Sequence, residues 1–254
     1  MISFITLLRK EISRFMSMWV QTIVGPVSNA VLYQLIFGYQ FSHVIGHGSD
    51  YALFIMPGLI MMQVLLNSFG NGSSSLILSK YTGNIVYVLM SPLSDAAIFN
   101  AYLLSCVIRG VVVGVTVFVA IVGFTSLNLL SLSALQWLVI AYFLLIGATI
   151  TGAMGLIAGI ICNKFDQISG FQSFLFMPLI YLGGIFFNID NFPTWLKTIT
   201  YCDPFLYIVD GLRFGFLGHS AIELTTSVVI TVIFTVFTYL VGYILLKRGY
   251  NIKN

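Results

Sequence analysis

The sequence predicts an all-α membrane protein with six transmembrane helices. Three observations carry this. First, only 7% of the 254 residues are charged and 59% are hydrophobic, with a mean hydropathy of +1.01; ordinary soluble domains carry about 25% charged residues. Second, apolar runs recur at about the 20 residues that cross a hydrocarbon core. Third, the polar gaps between those runs are short, leaving no room for a separate soluble catalytic domain. Residues 1–254 therefore read as a single transmembrane domain. The net charge of +3 does not indicate nucleic-acid binding, because Lys and Arg sit in small groups beside apolar runs, where they report topology.

The chain opens with Ile2–Met18. Phe4, Ile5, Leu8, Ile12, Phe15 and Met16 recur at helical spacing, interrupted by Arg9, Lys10, Glu11, Ser13 and Arg14. This pattern predicts an amphipathic helix lying in the membrane interface. A cleaved signal peptide fits poorly, because the charges sit deep in the segment and no small-residue cleavage site follows. The first span is expected over 19–41, kinked at Gly25-Pro26. Ser42–Asp50 follows as a polar loop in which His43 and His47 are solvated, since Gly46 and Gly48 flank His47. The second span, 51–69, opens on the Met56-Pro57-Gly58 break.

Gly70–Pro92 mixes polar and apolar residues. Within it, Lys80–Met90 is too short to cross and predicts a surface helix, stopped by Ser91-Pro92. The third span covers 96–124 and contains Arg109. Thr125–Ser133 is a turn. The fourth span covers 134–161, where Gly147, Ala148, Gly152, Ala153, Gly155, Ala158 and Gly159 permit close helix packing. Asn163–Ser169 is the next loop, and the fifth span covers 170–187. Cys106, Cys162 and Cys202 are far apart, without metal-ligand spacing, and no intrachain disulfide is expected.

Residues 188–218 are apolar for a loop, yet broken by Pro193 and Pro204, directly after Gly183-Gly184. They carry Asp190, Lys197, Asp203, Asp210 and Arg213. Backbone of this kind is tolerated at membrane depth only under a cover of protein or water. Pro193, and Asp203-Pro204, are helix-start signals, so two short re-entrant helices are expected before the last span, 224–246. Eight Lys and Arg (Arg9, Lys10, Arg14, Lys80, Lys164, Lys247, Arg248 and Lys253) fall on one side of this arrangement. Only Lys197 and Arg213 fall on the other. The positive-inside rule then puts both termini in the cytoplasm and residues 188–218 outside.

Catalytic chemistry finds no foothold. The sequence lacks a phosphate-binding loop, a Gly-x-Ser-x-Gly elbow, a His-Glu-x-x-His pair and a paired acid at useful spacing. Arg109 is the one charge well inside a span, and an intramembrane charge is either functional or structurally paired. Asp203, Asp210 and Arg213 read as supports of an outer cap before they read as gates.

Several motifs, in order, match a known family. They are Pro57-Gly58-Leu59-Ile60-Met61-Met62, Ser91-Pro92, Arg109-Gly110, Lys164-Phe165-Asp166 and Pro178-Leu179. Then come Tyr181-Leu182-Gly183-Gly184-Ile185-Phe186, Pro193, Asp203-Pro204, Tyr207 and Gly211-Leu212-Arg213-Phe214-Gly215-Phe216-Leu217-Gly218. The chain resembles the type-2 permease subunits of ABC exporters over nearly its whole length. The resemblance implies a multi-pass protein of the bacterial inner membrane, working as a homodimer with two copies of a separate ATPase subunit. ATP and Mg would be held by that partner, with no cofactor and no catalytic or metal site in this chain. The helix at 80–90 would be the coupling helix, with Lys80, Ile85, Val88, Leu89 and Pro92 meeting the ATPase. The 188–218 region would form the extracytoplasmic cap with Gly183, Gly184, Pro193, Asp203, Pro204, Asp210 and Arg213. The path would run between copies, lined by the second and fifth spans. Relatives often carry acidic residues where this chain has Val86 and Tyr87, so its docking surface is expected to be more apolar. The implied substrate is hydrophobic, lipid-like or drug-like, or a glycan. The alternatives are a membrane scaffold without transport and, against the missing polar constellation, an intramembrane lipid-modifying enzyme.

Overall fold

The computed structural model describes residues 2–45, 48–123, 132–187, 189 and 192–251, with only the backbone at 2, 39–45 and 48–50. Every regular element among them is helical. Among the described residues, five helices are long and apolar enough to cross a membrane: Val20–Gly38, Tyr51–Tyr81, Asp95–Val122, Ala134–Ile161 and Leu224–Lys247.

α1 (Ile2–Ser17) is the expected amphipathic helix, and it lies against the bundle. Leu7, Glu11 and Phe15, four apart, are buried, while Ile5 and Met16 are exposed on its outer side. The buried stripe thus contains a carboxylate as well as apolar residues. A π-helical turn, Val20–Val24, leads into α2 (Gly25–Ile45). Pro26 supplies no N–H to the carbonyl four residues before it. The ladder widens one residue earlier, where the Gly25 N–H donates to the Val20 carbonyl. The same device recurs before Pro178. There α7 (Phe165–Phe171) passes through a π-helical turn, Gln172–Phe176, into α8 (Met177–Leu182), and the Met177 N–H donates to the Gln172 carbonyl.

α3 (Gly48–Tyr81) corrects the sequence reading in three places. α2 continues to Ile45 and α3 begins at Gly48, so residues 42–45 and 48–50 of the expected loop are helical, while 46–47 lie outside the described residues. His47 and the side chain of His43 lie outside the described residues. The helix also runs through Pro57, where a break was expected. Side chains from other elements support the carbonyls around it: Gln34 Nε2 donates to Ala52 O at 2.8 Å and Arg213 Nε to Phe54 O at 3.4 Å. Finally, α3 does not stop at Phe69 but continues through Gly70-Asn71-Gly72 to Tyr81. The polar residues there face protein rather than solvent. Asn71, Ser73, Ser75 and Ser79 are all buried.

α4 (Asn84–Leu89) follows after Gly83, whose φ of 72° requires glycine. The single helix expected over 80–90 is therefore two elements, with Lys80 on the last turn of α3. Ser94 caps α5 (Asp95–Val122), and Ser133 with Gln136 forms a capping box for α6 (Ala134–Ile161). The turn expected over 125–133 falls largely on residues outside those described. α3 and α6 form the centre of the bundle and approach with almost no side chain between them. A Cβ on Gly155 would sit 2.3 Å from the Phe69 carbonyl oxygen, and one on Gly72 would sit 2.8 Å from that of Gly152. The small residues noted in the fourth span thus let two backbones touch.

The fifth span was expected over 170–187. Its helical part ends at Leu182, where Gly183 caps it and Gly184 turns the chain at φ 78°. Two short helices follow, α9 (Thr194–Tyr201) directly after Pro193 and α10 (Pro204–Leu217) directly after Asp203. α11 (Leu224–Lys247) closes the chain against α6 and α10.

Candidate functional site

Three places hold the residues singled out from sequence. The first is the short helix α4. Its inner face is fixed: Ile85 and Val88 are buried in a core with Leu7 of α1, Phe99 and Tyr102 of α5, and Leu156 of α6. Two of the residues expected to meet a partner therefore point into the protein. Leu89 is half-buried and Pro92 exposed. Lys80 donates to the carbonyls of Ile160 and Cys162 (3.1 Å to the latter), capping the C-terminus of α6. The outer face belongs instead to Val86, Tyr87 and Met90, which are 52%, 76% and 78% exposed, with Tyr81 beside them at the end of α3. An open groove of about 670 Å³ separates this helix from α1, bounded by Thr6, Lys10, Asn84, Tyr87 and Pro92. The signal for this division was present in the sequence: Ile85 and Val88 are three apart, with Val86 and Tyr87 between them.

The second place surrounds Arg109. Arg109 Nη1 donates to Asn71 Oδ1 at 3.4 Å, and Arg14 Nη2 donates to the same oxygen at 2.9 Å. Two guanidinium groups thus share one amide oxygen. Asn71 Nδ2 donates in turn to Ser105 Oγ at 3.2 Å. Glu11, 1% exposed, pairs with Arg14 Nε at 3.0 Å and accepts a hydrogen bond from Ser75. Sequence reasoning missed Asn71, Glu11 and Ser75 as members of this cluster. The available signal was the recurrence of Asn71, Ser75 and Ser79 every four residues, a polar stripe on a helix.

The third place is the cap formed by α8–α10. Asp203 is the N-cap of α10; its Oδ1 accepts from the Phe205 N–H at 3.0 Å. It lies outside the spanning helices and is buried, and that burial pushes its carboxyl up to about 7, against the opposing pull of the Phe205 N–H. Asp210 accepts from the Ala221 N–H at 3.1 Å and the Ile222 N–H at 2.9 Å, and pairs with Arg213 at 3.5 Å. Arg213 also donates to the Gly184 carbonyl at 2.7 Å and lies 3.9 Å over the Phe54 ring. One Asp–Arg pair therefore ties α10 to the loop after it, to the turn after α8 and to α3. Its hydrogen-bonding capacity is spent on backbone, which is the arrangement of a staple. Gly183 and Gly184 build the turn that offers Arg213 its carbonyl. Pro193 and Pro204 start the two short helices.

The comparisons with known proteins point one way. The sequence model of the ABC-2 type transporter family matches residues 2–217. The chain is 36% identical over 247 residues to the inner membrane transport permease YadH of Escherichia coli K12, covering 96% of this chain and 94% of that protein. It is 22% identical over 239 residues to nodulation protein J of Rhizobium leguminosarum bv. viciae, covering 89% and 87%. It is also 23% identical over 180 residues to the probable multidrug ABC transporter permease YbhR of E. coli K12, covering 69% of this chain and 46% of that one. With the spanning helices, these matches make the chain a member of the ABC-2 type transporter family, a multi-pass transport permease of the inner membrane.

Proposed function

We propose that the chain is the membrane subunit of an ATP-driven exporter and that α4 is the element on which a separate ATPase pushes. The observation that carries this is the division of α4 into two faces. The outer face offers a partner three exposed side chains, Val86, Tyr87 and Met90. The inner face is bolted through Ile85 and Val88 to α1, α5 and α6. A displacement of α4 cannot be absorbed locally, because those side chains are close-packed, so it moves the helices behind them. Two ATPase copies would bind ATP and Mg, and two permease copies would form the transport unit, both with termini in the cytoplasm. The helix running from α7 through its π turn to α8 would be the remaining span, with α9 and α10 re-entering from outside. Its exposed Phe174 and Leu175 suit a face covered by a second copy. α3 is the most enclosed of the spanning helices, so a path between copies would draw more on the fifth span than on the second.

Substrate would be hydrophobic, lipid-like or drug-like, or a glycan. The relative named for multidrug transport favours the former, and membership of a transport-permease family disfavours the enzyme alternative. The test is co-purification with a candidate ABC ATPase subunit. Tyr87→Asp with Met90→Asp places two charges on the outer face of α4 without touching its core. Loss of the ATPase from an otherwise well-folded permease supports the reading. Retention of a fully active complex would show that α4 is not the docking element, and a chain that binds no ATPase would be a scaffold.

A further inference from the structure

We infer that a cavity between α1, α3 and α5 binds the anionic phosphate headgroup of a lipid from the leaflet on the α4 side of the membrane. The cavity is about 260 Å³ and has Arg14 and Arg109 in its wall. Its charges do not balance. Glu11 is already engaged by Arg14, Lys10 and Ser75. Among the described residues, no carboxylate lies within ion-pair distance of Arg109. Its only hydrogen-bond acceptor there is the amide oxygen it shares with Arg14, and its buried Nε has no partner. Arg14, Arg109 and Glu11 together leave one positive charge uncompensated in the wall of a cavity.

A lone cation is costly at this depth, and a bound anion would offset that cost. Guanidinium groups suit phosphate because their forked donors match its oxygens. Basic pockets between spanning helices are known sites for lipid headgroups. The rest of the lining says that the phosphate arrives on a lipid. Met18, Leu78 and Phe165 are apolar and exposed at the margin, which suits acyl chains rather than a freely hydrated ion. Gly70 leaves the space open, since a Cβ there would meet nothing within 4 Å. The site includes α1, so an occupied cavity would also hold that helix to α3 and α5. The inference requires no ATPase and stands apart from the role given to α4.

The experiment uses the purified full chain in detergent, with native mass spectrometry and thermal unfolding at increasing phosphatidylglycerol or phosphatidylcholine, and with inorganic phosphate as a separate arm. The expected result is saturable binding of phosphatidylglycerol at least tenfold tighter than phosphatidylcholine, with a rise in Tm. Arg109→Gln should weaken it tenfold or more. Gly70→Phe, which leaves both arginines in place and fills the space, should do the same, keeping the test valid if the arginine variant folds poorly. Arg9→Gln, an exposed cation elsewhere on α1, should leave binding unchanged. Equal affinity for the two lipids, or binding undiminished in Gly70→Phe, would overturn the site. Stabilisation by inorganic phosphate alone, equal to that by phosphatidylglycerol, would overturn the lipid as its source.

Discussion

Replacing Arg213 by Met tests the account of the cap formed by α8–α10. The side chain is 4% exposed, and its pair, Asp210, is fully buried. Met keeps much of the aliphatic volume but removes the charge. It also removes the donors to Gly184 O (2.7 Å) and Phe54 O (3.4 Å) and the contact over the Phe54 ring. Asp210 would keep its two backbone donors, from Ala221 and Ile222, and lose its counter-charge. Breaking a buried pair from one side costs about 3–5 kcal/mol. In a protein of this size each kcal/mol moves Tm by about 2–4 °C, so a fall of about 6–20 °C is expected. The assay is thermal unfolding of purified protein followed by loss of the monodisperse gel-filtration peak. A second variant separates charge from packing. Arg213→Met combined with Asp210→Asn leaves no isolated carboxylate, keeps an acceptor for one of the two backbone N–H groups, and should recover part of the loss, because a pair removed together costs less than a pair broken. A single variant within about 2 °C of the parent, or a double variant less stable than the single by the full cost of a second lesion, would refute the staple.

Three further outcomes follow from the geometry. Gly155→Leu should prevent accumulation of folded protein, because its Cβ already falls 2.3 Å from the Phe69 carbonyl oxygen. Gly170→Leu, where a Cβ meets nothing within 4 Å, should fold normally; expression and gel filtration check both. Asp203 should give stability a pH dependence. Its folded-state value of about 7 is raised above the reference 3.8, so the folded state binds the proton more tightly. The stability it contributes is then complete below about pH 4 and lost as pH rises through about 7. Asp203→Asn, which keeps an oxygen for the Phe205 N–H, should flatten that part of the Tm–pH profile. Gly83→Val should cost about 1–2 kcal/mol, since φ is 72° there, while Gly83→Asn should cost less; paired melting curves measure the difference.

Local signals in the sequence carried much of the fold. Periodicity marked α1, run length marked the spanning helices, and proline marked the starts of α9 and α10. The largest error lay at Gly70-Asn71-Gly72, read as the end of a span. Glycine and a run of polar residues do end helices in water. Here Gly72 packs on the Gly152 carbonyl, while Asn71 and Ser75 find Arg14 and Glu11, 57 and 64 positions earlier in the chain. No local reading supplies partners at that distance. The same limit applies to Arg213. Its i, i+3 relation to Asp210 is legible, but its bonds to Gly184 and Phe54 come from tertiary packing. Lys80 shows the converse. A cation next to a short surface helix reads as part of a docking face, whereas it bends back to cap α6. The kink expected at Gly25-Pro26 takes the form of a π turn within a continuous helix, and the same device before Pro178 was not anticipated from the sequence.

The central claim is that the outer face of α4 meets an ATPase. A photo-crosslinking residue placed in turn at positions 87, 90 and 233 tests it most directly, in membranes containing the permease and a candidate ATPase that co-purifies with it. Tyr87 and Met90 lie on α4 and beside it, and Ile233 is an exposed residue of the spanning helix α11. The account predicts ATPase adducts from 87 and 90 and none from 233. Absence of adducts at 87 and 90, in membranes where the ATPase remains bound to the permease, would contradict it.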